Sequence, residues 1–318
     1  MLVQWEVAVK RLVFMGTPEF AVPILEVLVG QYQIMAVVTQ PDRAAGRGRR
    51  VKSSPVKKTA LAHDLPVLQP PSLRRPEATA ELGELAPDVI VVAAFGQILP
   101  PEVLAVPPHG CLNVHASLLP CYRGAAPISA AILAGEEQTG VTIMLMDEGM
   151  DIGPILAQAE CKIEPQDTTG SLSVKLAQLG AVLLLETLPR WLDGRIVPQP
   201  QDHNLATYCQ MIAKKDCRLD WSLPATALWL RVRAYSPRPG AYTYWEGKLL
   251  KIWRAQPVTI SLGGEKPGRV ISVDHGVAVV AGTDALLLEE IQLAGKKAMA
   301  VQEFIRGQRD FIGSVLGA

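Results

Sequence analysis

Asn113 and His115 stand two residues apart in the run Asn113-Val114-His115-Ala116-Ser117-Leu118-Leu119-Pro120. The acid- and glycine-bearing segment Asp147-Glu148-Gly149-Met150-Asp151-Ile152-Gly153 follows a few dozen residues later. Positions two apart share a face of a strand, so a strand over Gly110–His115 aims an amide donor and an imidazole the same way. Two such donors suit an oxygen that becomes negative while a carbonyl is attacked. A carboxylate from the following loop can fix the imidazole tautomer and help move a proton. No nucleophile stands among these groups, which points to acyl-type transfer without a covalent enzyme intermediate. Spacing leaves Asp147 and Asp151 open for the carboxylate, because Asp147 can equally end its strand or cap the loop. A lone histidine at a strand end is more often a structural hydrogen-bonder; Asn113 on the same face and the downstream loop favour catalysis for His115. Ser117-Leu118-Leu119-Pro120 has two readings of equal weight: a loop packing leucines on the core, or a seat for a flat heteroaromatic ligand beside the polar pair.

Positioning such groups falls to alternating strands and helices. Apolar runs at Arg11–Met15, Gln33–Thr39, Pro66–Gln69, Asp88–Phe95, Gly110–His115 and Gly140–Met146 read as strands, with helices at Glu19–Val29, Pro55–His63, Pro76–Leu85 and Pro127–Leu133 between them. Pro18, Ser54-Pro55 and Pro127 supply helix starts. The pattern predicts an α/β fold: a doubly wound, mostly parallel, Rossmann-like sheet, with ligands outside the carboxyl ends of its strands. Gly16-Thr17-Pro18-Glu19-Phe20 occupies the place of a dinucleotide turn. It has one glycine, and Pro18 and Glu19 would crowd and repel a pyrophosphate, so no nicotinamide or flavin cofactor is expected there, and no P-loop is present.

A long amphipathic helix over Thr168–Leu188 closes the first domain, and Asp193–Asn204, with Pro198 and Pro200, has linker composition. A helix at Leu223–Tyr235 and short strands at Ala241–Trp245, Lys248–Arg254, Arg269–Val273, Val277–Ala281 and Leu286–Gln292 follow, with hairpin turns at Glu246-Gly247 and His275-Gly276. These predict a small OB-like β-barrel. The expected boundaries are 1–194 for the catalytic domain, 195–212 for the linker and 213–318 for the C-terminal domain.

The 318 residues exceed one ordinary core, and 49% hydrophobic with 19% charged residues describes a globular chain. Apolar runs such as Val89–Phe95 are strand-sized and too short to cross a bilayer, and the N-terminus reads as no signal peptide. Within residues 1–10, Val3, Trp5, Val7 and Val9 alternate with polar or small residues, which fits either an edge-strand extension or a misassigned start. Five cysteines without a CxxC pair argue for a reducing cytosol and against disulfides or a zinc site. Residues 1–202 carry 16 basic and 21 acidic side chains, and residues 203–318 carry 15 and 10. A basic second half raises the expectation of a polyanionic partner. The stretch Arg43–Lys58 holds Arg43, Arg47, Arg49, Arg50, Lys52, Lys57 and Lys58 and no acid. With Gly46 and Gly48 it reads as a long loop suited to an RNA backbone, disordered or highly mobile without RNA; the bland alternative is a solvated surface.

The stretches FMGTPEFAVPIL, VVTQPDRAAGRGRR, SSPVK, LNVHASLLPCYRGAAPI, GVTIMLMDEGMDIGPIL, Leu219-Asp220-Trp221 and AGKKAM at 294–299 resemble the methionyl-tRNA formyltransferase family, within the folate-dependent formyltransferases, from Arg11 nearly to the C-terminus. The resemblance implies a formyl donor, 10-formyltetrahydrofolate, and an acceptor, the α-amino group of initiator methionyl-tRNA. It maps catalytic roles onto Asn113, His115 and Asp151, which settles the choice between the two aspartates. It marks Ser117, Leu118, Leu119 and Pro120 as folate-binding. It marks the Gly46-Arg47-Gly48 region as the loop that enters the acceptor end of the tRNA, with Arg47 the key contact; with the basic stretch read as RNA-binding, Arg43, Arg47, Arg49, Arg50 and Lys52 are the expected tRNA contacts, and the basic C-terminal domain is expected to bind tRNA too. The resemblance further implies a cytoplasmic monomer with no metal, no tightly bound cofactor and no membrane. Cys121 departs from the basic residue many relatives carry before Tyr-Arg-Gly, and Ala44 from a frequent proline. Competing readings are formylation of a nucleotide-linked amino sugar, hydrolysis of the folate donor, and a non-catalytic RNA-binding module. The arginine-rich loop argues against the sugar, and the intact trio against the module.

Overall fold

The computed structural model describes residues 10–45, 50–261 and 263–317. The alternating segment 1–9 and Gly46, Arg47, Gly48 and Arg49 lie outside the described residues. In chain order the elements are β1 (Arg11–Gly16), α1 (Val22–Leu28), β2 (Gln33–Val38), β3 (Arg43–Ala45), β4 (Arg50–Lys52), α2 (Pro55–Ala62), β5 (Val67–Leu68), α3 (Pro76–Glu84), β6 (Val89–Ala93), α4 (Pro101–Leu104), β7 (Cys111–His115) and β8 (Arg123–Gly124). Next come α5 (Pro127–Leu133), β9 (Gln138–Leu145), β10 (Ile155–Lys162), α6 (Thr169–Leu192), β11 (Tyr208–Cys209) and α7 (Ala225–Ala234). The chain ends with β12 (Tyr242–Trp245), β13 (Lys248–Val258), β14 (Val270–Val273), β15 (Gly276–Val280), β16 (Ala285–Leu293), β17 (Met299–Ala300) and α8 (Val301–Gly307). Two compact units result. One holds Met1–Gly124, Thr139–Cys161 and Ser173–Tyr208; the other holds Ala125–Gln138, Lys162–Leu172 and Cys209–Ala318.

The first unit is built on a seven-stranded sheet of order β10-β9-β7-β6-β1-β2-β5. From β5 through β2, β1 and β6 to β7 the strands run parallel, and β9 joins β7 antiparallel. The chain winds outward from β1 to β5 and then returns to β6 on the other side, which is the doubly wound arrangement read from the sequence. Strand β6 is buried along its whole length, as its Val-Ile-Val-Val-Ala composition requires of a strand covered on both faces. Ser54 caps α2 by accepting from the Lys57 backbone N–H at 3.0 Å, with Pro55 in the first turn.

Helix α6 runs to Leu192, past the expected Leu188, because Pro189 is tolerated within its last turns. Its length, composition and mean hydropathy of 1.4 would let it cross a membrane, although no single apolar run in the sequence is that long. Leu176, Leu184 and Leu188 are instead fully buried, each burial stabilising the fold by roughly 1.5–3 kcal/mol. Gly180 permits the close approach: a Cβ there would meet Val114 Cγ1 at 2.8 Å and Val141 Cγ1 at 3.3 Å. The helix therefore bears directly on β7, the strand that carries Asn113 and His115.

Besides the short elements α4, β8, β11, β17 and α8, which were not foreseen, three further features depart from the sequence expectations. Strand β10 was not foreseen, since its apolar and polar residues only weakly alternate at the sheet edge. The basic stretch, expected as a disordered loop, has two paired arms: Arg43 opposes Lys52, Ala44 opposes Val51 and Ala45 opposes Arg50. The turn placed at His275-Gly276 is Asp274-His275, because Val273 pairs with Gly276 and leaves two residues between them. Glu246-Gly247 does form its turn, both residues having positive φ between the paired Trp245 and Lys248.

The second unit carries an antiparallel sheet of order β12-β13-β16-β15-β14, with β17 added on β16, in the manner of a half-barrel. Edge-to-face contacts among Trp245, Phe304 and Phe311, with ring centroids 5.1–5.5 Å apart, fill its interior. Arg233 is buried on α7, donates to the carbonyls of Asp167 and Glu164 at 2.8 and 3.0 Å, and stacks over Trp229.

Candidate active site

Strand β7 pairs Asn113 with Met144 and His115 with Thr142 of β9, and β9 ends at Leu145, so the segment 146–154 departs beside them. The alternation of β7 puts Asn113 and His115 on one face. Asn113 Nδ2 donates to Asp151 Oδ1 at 3.4 Å, and His115 Nδ1 lies 3.7 Å from the same oxygen. One carboxylate oxygen thus marks a point on which an amide and an imidazole converge. Asp147 stands apart: it is exposed, and its Oδ1 accepts from the Glu148 backbone N–H at 2.7 Å. Of the two aspartates left open on spacing, Asp151 is the one that lies beside both Asn113 and His115.

The imidazole is gripped from both sides. His115 is buried, and its Nε2 lies 3.1 Å from the Tyr122 carbonyl, which can only accept. Nε2 must carry a proton to satisfy that carbonyl, so Nδ1 is the ring nitrogen turned toward Asp151, at a distance longer than a formed hydrogen bond. Asp151 Oδ2 accepts from the Gly124 backbone N–H at 2.8 Å. Asp151 itself has φ +53°, a left-handed conformation uncommon outside glycine. Two residues on, Gly153 is required by proximity, because a Cβ there would stand 1.9 Å from the Leu145 carbonyl oxygen.

Beyond the trio, Gln201 Nε2 donates to the carbonyls of Asp151 and Gly153 at 2.9 and 2.7 Å. Its Oε1 accepts from Arg123 Nε and Nη2 at 3.1 and 2.7 Å. Sequence reasoning missed both residues. Gln201 lay in what composition marks as linker, and Arg123 resembled one more surface cation. The Tyr-Arg-Gly run directly after Ser117–Pro120 was the available signal.

In the segment Ser117–Pro120, Ser117 and Leu119 are buried while Leu118 and Pro120 are half-buried. Ser117 Oγ donates to the Cys121 carbonyl at 2.6 Å, and Thr142 Oγ1 bridges the Ser117 carbonyl and the Leu119 N–H at 2.7 and 3.0 Å. The segment is thereby fixed beside β7.

Of the basic-stretch residues, Arg43, Arg50 and Lys52 fall on the paired arms, while Arg47 and Arg49 lie outside the described residues. The root of the arms is tied down. Lys57 Nζ contacts Asp42 Oδ2 at 2.7 Å and Gln69 Oε1 at 2.6 Å, and Gln69 Nε2 returns to Asp42 Oδ1 at 2.9 Å. The Lys57 and Gln69 hydrogen bonds hold the Asp42 carboxyl below its usual range. A surface depression lined by Pro70, Pro71, Ser72, Arg75, Pro76, Glu77, Ala78 and Glu81 includes none of the trio. Among the described residues no group of three or more His, Cys, Asp or Glu side chains is placed to hold a metal ion.

A doubly wound sheet with these three groups at its carboxyl end matches the family model described as Formyl transferase over residues 10–188. Residues 211–309 match that described as Formyl transferase, C-terminal domain. The chain belongs to the formyl transferase family. Within it, the chain is 48% identical over 308 residues to the Methionyl-tRNA formyltransferase of Caldanaerobacter subterraneus subsp. tengcongensis, covering 96% of this chain and 99% of that protein. It is 51% identical over 300 residues to the Methionyl-tRNA formyltransferase of Chloroflexus aggregans, covering 93% and 97%. Among solved structures, HypX from Aquifex aeolicus in complex with tetrahydrofolic acid shares the fold at TM-score 0.62 and 19% identity, over 95% of this chain. The chain spans about half of HypX, 48% of its length. An N-formyltransferase from Helicobacter canadensis, in complex with folinic acid and dTDP-3-aminofucose, shares the fold at TM-score 0.63 and 19% identity, covering 91% and 100%.

Proposed function

We propose that the chain transfers the formyl group of 10-formyltetrahydrofolate to the free α-amino group of methionine carried on initiator tRNA. The convergence of Asn113 Nδ2 and His115 Nδ1 on a single negatively charged oxygen carries this reading. The amine nitrogen attacks the formyl carbon, and the carbonyl electron pair moves onto oxygen. Asn113, through its second Nδ2–H, and the charged His115, through the Nδ1–H that is too far from Asp151 to be bonded to it, donate to that oxyanion, an arrangement that stabilises the transition state more than the neutral formyl group. Asp151 keeps His115 charged and oriented, and it passes the proton released by the amine through water to the departing folate nitrogen. Collapse then breaks the bond between the formyl carbon and that nitrogen, giving formylmethionyl-tRNA and tetrahydrofolate. Leu118 and Pro120 present the half-exposed surface of the folate seat, and Ser117 and Leu119 fix its shape from below.

The acceptor is recognised by charge and stacking. The β3–β4 arms, with Arg43, Arg47, Arg49, Arg50 and Lys52, approach the acceptor end of the tRNA. Residues 213–318 contribute cations over aromatic rings, Lys251 on Trp253 at 4.7 Å and Arg218 on Tyr244 at 5.5 Å. The enzyme acts as a cytoplasmic monomer, with residues 1–194 carrying the chemistry and 195–212 joining the two parts. The test is formylation of charged initiator tRNA, charged elongator tRNA and uncharged initiator tRNA with the same donor. Rapid labelling of the first, slow labelling of the second and none of the third is expected. Release of free formate without labelled tRNA, or labelling of a nucleotide-linked amino sugar in preference, would overturn the proposal.

A further inference from the structure

We infer that Gln201, set by the buried Arg123, is a positioning residue that holds Asp151 in the conformation from which its carboxylate reaches Asn113 and His115. The inference rests on the catalytic reading of that trio. The segment after α6 has linker composition, yet it is stitched to the catalytic loop along its length. The backbone of Gln199 exchanges two hydrogen bonds with Ile155 at 2.8 and 2.9 Å, and Arg123 N–H donates to the Thr207 carbonyl at 2.9 Å. Tyr122 N–H donates to Thr207 Oγ1 at 2.8 Å.

At the centre of this seam, Gln201 is 6% exposed and Arg123 1% exposed. The guanidinium directs two donors to Gln201 Oε1, one toward His203 Nδ1 at 3.2 Å and one toward Tyr208 Oη at 3.3 Å. Two donors from one guanidinium thus converge on a single amide oxygen. This decides which end of the amide faces which partner, since a guanidinium can only donate. Gln201 Nε2 must therefore face the other way, where it meets the carbonyls of Asp151 and Gly153. The first of those carbonyls belongs to Asp151 itself, whose left-handed conformation L-residues rarely adopt without being held there, and the second lies two residues on. Arg123 reaches the same carboxylate by a second route, because the residues on either side of it grip the trio through the backbone. Tyr122 offers its carbonyl to His115 Nε2, and Gly124 donates to Asp151 Oδ2. Gln201 meets Asp151 at its backbone carbonyl, and Arg123 meets Gln201 at its side-chain oxygen. Their effect runs through the aim of Asp151.

Gln201→Glu tests this most cleanly. The carboxylate keeps an acceptor for Arg123 but replaces the Nε2 donor with an oxygen facing two carbonyls. The expected result is a fall in kcat for formylation of about 10- to 100-fold, the scale of loss when a reacting group is misplaced, with KM for donor and tRNA nearly unchanged. In an Asp151→Asn background the same substitution should cost less than about threefold, because both changes act through one carboxylate. Gln201→Met, which removes the donor without adding charge, should repeat the pattern, and it carries the comparison if the Glu variant does not fold. Losses that multiply in the double variant, unchanged kcat, or unfolding of both single variants would assign Gln201 to the scaffold and overturn the inference. A wild-type protein inert toward methionyl-tRNA would overturn the catalytic reading beneath it. An active wild type with indifferent variants would sink this inference alone.

Discussion

Replacing Asp151 with Asn alters one charge while leaving the shape of the site nearly intact. The carboxylate lies 3.7 Å from His115 Nδ1, with the two side chains 17% and 6% exposed. At that distance the carboxylate is placed to orient the imidazole and to take part in moving the amine's proton, and losing a positioned proton-transfer group slows chemistry by about 10²–10⁴-fold. The substituted amide can still accept from Gly124 N–H through its oxygen, so its NH2 group turns toward Asn113 and His115, both donors. Charge loss and donor opposition therefore act in the same direction. The assay is kcat for formylation at saturating donor and charged initiator tRNA, with thermal unfolding measured alongside. A variant that unfolds at the wild-type temperature and turns over roughly 10²–10⁴-fold more slowly is expected. A loss of less than about fivefold would refute the argument, because the transfer would then not depend on this carboxylate.

Arg47→Ala should raise KM for initiator tRNA while slow hydrolysis of the folate donor continues; a parallel fall in both would place Arg47 with the chemistry or the fold. Burial pushes the Cys111 thiol up to about 12 and, with Asp216 adding to it, raises Cys217 as well. Native alkylation at mildly alkaline pH, read by mass spectrometry, should therefore label Cys121, Cys161 and Cys209 ahead of these two, and rapid labelling of Cys111 would contradict the packing. The Asp42 carboxyl is depressed chiefly by its Lys57 hydrogen bond, so the clamp it makes is fully present above the ordinary aspartate value of 3.8 and is lost as pH falls through the depressed one. Amide protection factors across the β3–β4 arms should stay constant through neutral and mildly acid pH and fall in Lys57→Met; indifference to that substitution would show that the clamp does not hold the arms.

The sheet was readable because its strands are apolar runs with Pro- or Ser-marked helix starts between them, and those signals are local. The pairing of Asn113 with His115 followed from the two-residue period of a strand. The choice of Asp151 over Asp147 did not follow from spacing, since it depends on a left-handed turn and on a glycine at 153 pressed against Leu145. Gln201 and Arg123 were illegible for a related reason: their partners lie about 50 and 80 residues away in sequence, and neither sits in a periodic segment. The arms of the basic stretch were hidden because Arg43–Ala45 and Arg50–Lys52 lack the apolar alternation that announces a hairpin. The turn at Asp274-His275 was misplaced by one residue because a glycine was taken to mark the turn, when Gly276 instead opens the next strand.

The central claim is that one tetrahedral carbon is formed and resolved among Asn113, His115 and Asp151. Single-turnover transfer of labelled formyl from donor to charged initiator tRNA, comparing wild type with Asn113→Ala, tests it most directly. Loss of the amide donor should slow the transfer by about a hundredfold or more without an enzyme-bound formyl adduct appearing. Near-normal transfer by Asn113→Ala, or label accumulating on the protein before it reaches the tRNA, would contradict the account.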